Sequence, residues 1–267
     1  MITSSTNERI KQIRKLQERK ERLETGLFYL EGLRIVGEAL AAGAEVETLV
    51  VARELLKSEY GQTVVETQAA RGAAVLEVSA DVFKRMALKD GPQGIAAVVR
   101  QNWLPLNQAR PSAGRPWIAL DAVADPGNLG TILRTSDAAG GEGVILLDQS
   151  TDPYDPSAVR ASMGALFDQK IVRATFEEFA AWKKGGDWNL VGTSDKAAQD
   201  YHAYQYPSAL VILMGSERQG LQPQHLAICD QVVSIPMLGK SDSLNLAVAT
   251  AVVLYEVYNQ RRQEKQP

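Results

Sequence analysis

The chain has 267 residues, 45% of them hydrophobic and 23% charged, enough for one large core or two modest ones. A single cysteine, Cys229, excludes an internal disulfide and suits a reducing cytoplasm, and two scattered histidines, His202 and His225, leave a structural zinc site or a Ser-His-Asp hydrolase without support. The net charge of −3 argues mildly against a nucleic-acid partner, no run nears the roughly 18 apolar residues of a membrane span, and the basic start MITSSTNERIKQIRK lacks the apolar stretch of a secretory signal.

In chain order, the pattern predicts one charged helix over 7–23. Arg9, Lys11, Arg14, Lys15, Arg19, Lys20 and Arg22 crowd it, as a solvated face or as a phosphate-contacting patch. A short strand follows at 28–32, then a helix through Leu33, Val36 and Leu40 that Gly43 can stop. Strand 46–52, helix 61–71, strand 73–79, helix 80–88 and strand 94–101 complete an α/β unit. Residues 102–116 hold three prolines and no periodicity, and are expected to link a domain of residues 1–101 to one of 117–267. The second half predicts buried parallel strands at 117–121, 143–148, 190–194 and 209–216. A strand ending at Ile235-Pro236 and a final helix from about Ser243 to Asn259 follow.

Three stretches carry chemistry. "DPGNLGTILR" (125–134) is a glycine-rich turn opening into an amphipathic helix, but it lacks the Lys-Ser or Lys-Thr of a P-loop and the G-x-G-x-x-G of a dinucleotide site. Asn128 is expected to cap that helix. Arg134 lies off the apolar stripe and leans toward Gly130. In "LVILMGSERQGLQP" (210–223) a buried strand ends in Gly215-Ser216-Glu217, placing Glu217 where α/β sheets bind ligands, beyond the carboxyl ends of their strands; Gly215 would let a ligand approach the backbone. In "SIPMLGKSDSLNLAVATAVVLYE" (234–256), Ser241, Asp242 or Ser243 could cap a helix that is apolar on more than one face, buried or half of a subunit interface. Asn245 is a polar side chain in its first turn.

Together, "DPGNLGTILRTSDAAG", "MGSERQGL" and "IPMLGKSDSLNLAVA" resemble, in order and spacing, the SpoU/TrmH family of SPOUT RNA ribose methyltransferases. "YLEGLRIVGEAL" and "GPQGIAAVV" look, more loosely, like that family's ribosomal-protein-like substrate-binding domain. The resemblance implies a small N-terminal α/β domain and a C-terminal trefoil-knotted α/β domain with a parallel sheet, working as a homodimer without metal. It implies S-adenosyl-L-methionine as cofactor and a ribose 2′-hydroxyl of RNA as acceptor, in rRNA more than tRNA. Carried over by position, the catalytic set is Asn128, Arg134, Glu217, Ser243 and Asn245, and the cofactor contacts are Gly215, Ile235, Met237 and Leu244. Arg9, Lys11, Arg14, Lys15, Arg19 and Lys20 are the expected RNA contacts. Arg218 stands where many relatives carry glycine, and Asp242 where glutamate is more usual. A non-catalytic RNA-binding protein on the same fold is the competing reading.

Overall fold

The computed structural model describes residues 1–88, 90–240 and 242–264 and forms two compact units, Met1–Gln101 with Tyr154–Phe167, and Asn102–Pro153 with Asp168–Pro267. The first unit opens with α1 (Glu8–Lys15), α2 (Arg19–Thr25), β1 (Leu27–Glu31), α3 (Leu33–Ala41) and β2 (Val46–Val51). It continues through α4 (Glu59–Ala70), β3 (Val75–Glu77), α5 (Ala80–Met86) and β4 (Ile95–Arg100). Its four strands lie in the order β1-β4-β2-β3, with β4 antiparallel to both neighbours and β2 parallel to β3. Ile10, Ile13 and Leu16 of the first helical segment pack with Tyr29, Val50, Phe83 and Val98 in its core.

The helix expected over 7–23 is two helices. Asn7 caps the first by accepting from the Arg9 N–H at 3.0 Å. The break follows from Arg22, whose buried guanidinium donates to the carbonyls of Leu16 at 3.0 Å and Gln17 at 2.8 Å. It thereby satisfies the acceptors that a terminating helix leaves open. Arg22 is therefore not part of the basic surface.

The second unit begins with β5 (Trp117–Asp121), α6 (Pro126–Ala138) and β6 (Gly143–Leu147). The chain then contributes α7 (Pro156–Ser162) to the first unit. There Tyr154 packs on Phe28, ring centroids 4.7 Å apart, and Asp155 pairs with Arg22 at 3.3 Å. The second unit resumes with β7 (Lys170–Ala174), α8 (Phe176–Lys184), β8 (Asn189–Thr193), β9 (Gln199–Asp200), β10 (Leu210–Met214), α9 (Pro223–Leu226), β11 (Gln231–Ser234) and α10 (Leu246–Glu264). Its seven strands run β7-β6-β5-β10-β8-β11-β9, every pairing parallel. A sheet buried on both faces needs continuous apolar strands, and β5, β6 and β10 are buried at every position. Trp117 and Phe179 anchor the core. No described helix is long and apolar enough to cross a membrane.

Residues 102–116, expected as a linker, belong to the second unit's packing. Ala109 is buried in its core, Leu104 and Leu106 pack against it, and the Leu104 N–H donates to the Ile171 carbonyl at 2.8 Å. The prolines stop periodic structure there without stopping burial.

Candidate active site

The turn that opens α6 is built by Asp125. Its carboxylate accepts the Asn128 N–H at 2.7 Å, so Asp125, not Asn128, is the N-cap. Pro126 needs no backbone donor in the first turn. At Gly127 a Cβ would sit 2.9 Å from the Asp125 Oδ1, so glycine permits the cap's close approach. Released from capping, the half-buried Asn128 turns its amide to two other loops.

Those loops bring the three sequence motifs together. Glu217 accepts the N–H groups of Ala124 at 3.1 Å and Asp125 at 3.4 Å, and the Asn128 Nδ2 at 3.3 Å. The Asn128 Oδ1 accepts from the Asn245 Nδ2 at 3.0 Å. The Asn245 Oδ1 in turn accepts the N–H groups of Ala247 at 2.9 Å and Val248 at 3.3 Å, capping α10. A carboxylate only accepts, so Glu217 fixes which end of Asn128 faces it. Asn128 then fixes Asn245. The relay has one polarity from end to end.

The three side chains line a crevice of about 570 Å3 with Ala122, Ala124 and Ser216, beyond the carboxyl ends of β5 and β10. Ala122 has φ +46°, a left-handed conformation that costs a residue with a Cβ and that concentrates at functional sites. Neither Ala122 nor Asp125 stood out in the sequence. The D-P-G-N order was the available signal for Asp125, since aspartate before proline favours turn initiation.

The other expected residues have these surroundings. Gly215 lies against its own loop: a Cβ there would lie 2.2 Å from the Gly220 carbonyl carbon and 2.3 Å from the Leu221 nitrogen. Its small size serves the fold of the 215–221 turn. Asn245 takes the capping role expected of Ser241, Asp242 or Ser243, and α10 starts at Leu246. Ser241 lies outside the described residues. Ser243 and Leu244 are exposed on the approach to that helix. Arg134 is also exposed; it has no hydrogen bond or ion pair among the described residues and does not line the crevice. Gly130, toward which it was expected to lean, is buried.

Ile235 and Met237 are half-buried, and Leu238 is fully exposed. Among the described residues, no backbone group of 235–244 bonds to another backbone group.

Behind the crevice, Asp121 at the end of β5 faces the buried His225, Oδ2 to Nδ1 3.6 Å. Burial pushes the Asp121 carboxyl above its ordinary value, with His225 opposing and Asp148 adding to the shift. The His225 Nδ1 accepts the Gln222 N–H at 3.1 Å, a structural role. Of the basic segment, Arg9, Lys11, Arg14, Lys15, Arg19 and Lys20 are all exposed. Lys11 pairs with Glu8 at 2.7 Å, while Arg9 and Arg14 have no ion pair among the described residues.

The family model for the SpoU rRNA Methylase family matches residues 116–255, and that for the MRM3-like substrate binding domain matches 7–97. A 23S rRNA (guanosine(2553)-2′-O)-methyltransferase, RlmP, of Bacillus subtilis is 30% identical, covering 96% of this chain and 98% of the relative. A 23S rRNA (uridine(2479)-2′-O)-methyltransferase of Streptomyces viridochromogenes is 30% identical over 92% of this chain and 87% of its own. The crystal structure of an AdoMet-bound rRNA methyltransferase from Sinorhizobium meliloti superposes with a TM-score of 0.90 at 38% identity, covering 100% of this chain and 98% of that one.

Proposed function

The chain belongs to the SpoU rRNA methylase family and is an S-adenosylmethionine-dependent RNA 2′-O-methyltransferase, and we propose that it modifies 23S-type ribosomal RNA as a cytoplasmic homodimer. The observation that carries the reading is the Glu217–Asn128–Asn245 relay, which locks all three motifs around one crevice. The loop around Ile235, Met237 and Leu244 would hold the cofactor. Bound there, the sulfonium supplies an activated methyl group.

What remains for the protein is alignment and charge, and alignment of reacting groups is worth roughly 7–11 kcal/mol. Glu217 and Asn128 act as positioning residues, because their polar atoms are engaged with the loops themselves. The Arg134 guanidinium has no partner among the described residues and can hold a phosphate bidentately or stabilise a developing alkoxide. Ser243 is exposed beside the relay and available to the ribose. The dimer reading rests on α10, where Val248, Tyr255 and Tyr258 are 49%, 44% and 39% exposed along one helix. Sedimentation should give about twice the 29.1 kDa chain mass, and a fully active monomer would refute it.

The test is methyl transfer from labelled S-adenosylmethionine to ribosomal RNA from a strain deleted for this chain, with ribose methylation mapped across both ribosomal subunits. One restored 2′-O-methyl in large-subunit RNA is expected. Cofactor binding without transfer to any RNA would favour the non-catalytic reading.

A further inference from the structure

The first unit holds a cavity of about 430 Å3, inside the roughly 300–1,000 Å3 of small-ligand sites. Its walls are apolar: Leu30, Ile35, Leu88, Val159 and Met163. Tyr29, Glu31, Gln93 and Ser157, all capable of hydrogen bonding, also line it. Tyr29 is 2% exposed, and its hydroxyl, which burial and the nearby Glu31 carboxylate keep from ionising, has no hydrogen-bond partner among the described residues. Glu31 is an acceptor whose Oε2 takes the Leu88 N–H at 2.6 Å. Gln93 accepts the Leu33 N–H through Oε1 at 3.0 Å, which leaves its amide donors to the cavity side.

Two exposed cations, Arg34 and Arg160, also line it. The Arg160 side chain has no hydrogen bond or ion pair among the described residues, and that of Arg34 has only a 3.9 Å contact with Glu38. The backbone around the cavity is specialised. Gly32 has φ +117° and ψ 150°, a region open essentially to glycine alone, and Met163 has φ +54°.

We propose that this cavity takes one unstacked nucleotide of the substrate RNA, its base between the aliphatic walls and its phosphate on Arg34 and Arg160. The chemistry selects that class. A base presents apolar faces and a mixed donor–acceptor edge, and sequence-selective RNA recognition reads splayed-out bases in this way. The guanidinium forks match phosphate. A fatty acyl chain would leave the Tyr29 hydroxyl and the Glu31 carboxylate against hydrocarbon. The inference rests on the rRNA reading above, and it assigns the first unit a specific contact in addition to its basic surface.

The experiment compares the full chain with Arg160→Gln and Ile35→Trp. The first removes a surface cation and the second fills the cavity; neither residue belongs to the crevice. Steady-state methyl transfer to rRNA from the deletion strain is measured with S-adenosylmethionine affinity. In parallel, anisotropy follows binding of a short single-stranded RNA with and without one abasic residue. Ile35→Trp should raise the KM for RNA about tenfold, the order of a lost base contact, and Arg160→Gln about threefold, the order of one lost phosphate contact, with kcat and cofactor affinity unchanged. The preference for intact over abasic RNA should vanish in Ile35→Trp. Unchanged KM in both variants, with the preference retained, overturns the proposal. Tight binding of free nucleoside monophosphates with unchanged KM also overturns it, in favour of a nucleotide effector. If the unaltered chain methylates no RNA, the rRNA reading fails separately, and the abasic comparison still decides the cavity.

Discussion

The crevice and the first helix use polar side chains in opposite ways. At the crevice, Glu217, Asn128 and Asn245 hold one another and four backbone N–H groups, so their geometry is set before any ligand arrives. On α1, Arg9 and Arg14 stand in solvent without an ion pair among the described residues. A preorganised network has a large effect at one place, whereas solvated cations each have a small effect that sums. Arg134 is the exception that connects the two. It carries a free charge, yet it grows from the helix that the relay anchors.

Arg134 therefore offers the largest expected effect. Arg134→Ala should lower kcat for methyl transfer by roughly 10²–10³, the cost of losing one donor to a developing anion, which requires that bound RNA bring the exposed guanidinium onto the reacting oxygen. S-adenosylmethionine affinity, measured by calorimetry, should stay within error. Arg134→Lys should restore little, since a point charge lacks the planar fork. Full activity of Arg134→Ala would place catalysis wholly in the relay.

Arg22 comes next, and its effect is on folding. Arg22→Ala strips two main-chain carbonyls and Asp155 of a buried partner, and should destabilise the chain by about 3 kcal/mol. Urea unfolding measures it. A change below about 0.5 kcal/mol would return Arg22 to the class of ordinary surface cations.

Arg22 also shows where the sequence stops being informative. Seven cations in one segment read as one patch, and only the tertiary structure buries the seventh. The same limit applies to 102–116. Prolines announced irregular backbone correctly, but burial of Ala109 is a packing fact with no periodic signature. The parallel strands β5, β6 and β10 are legible because each is a run of at least four apolar residues, and β8 because of its buried Leu190-Val191-Gly192 centre. The two-residue β9 and the segment 154–167, whose partners lie over a hundred residues away, carry no such pattern. At the crevice the residue types were legible and the bonds were not. Asn128 was assigned the cap because asparagine and aspartate cap equally well, and the choice between Asp125 and Asn128 falls to where Glu217 sits.

Glu217→Gln tests that choice. Glutamine keeps the shape but turns one acceptor into a donor facing an N–H or the Asn128 amide. Slight displacement of the α6 turn should lower kcat/KM roughly tenfold, less than the hundredfold of a full ångström misplacement. Asn128→Asp should be worse than Asn128→Ala, because it sets a second carboxylate against Glu217. If Asn128→Asp is the more active of the two, the relay polarity argued above is wrong.

The smallest effect separates cations within α1. One lost phosphate contact should reduce the log–log salt slope of RNA binding by roughly 0.7–0.9, about threefold in affinity between about 50 and 200 mM salt. Arg14→Gln should show that full change, because Arg14 gives up no ion pair to meet a phosphate. Lys11→Gln should show less. Lys11 sits 2.7 Å from Glu8, and its hydrogen bond and charge hold the Glu8 carboxyl below its ordinary value. Phosphate binding must compete with that pair, and Lys11→Gln removes the cation from both at once. Glu8→Gln provides the control: it should bring the Lys11 contribution up to that of Arg14 and tighten RNA binding at low salt. Equal slopes for Arg14→Gln, Lys11→Gln and the unaltered chain would make α1 a solvated helix face. The sequence-independent part of RNA affinity would then have to come from elsewhere in the chain, with Arg34 and Arg160 the first cations to substitute.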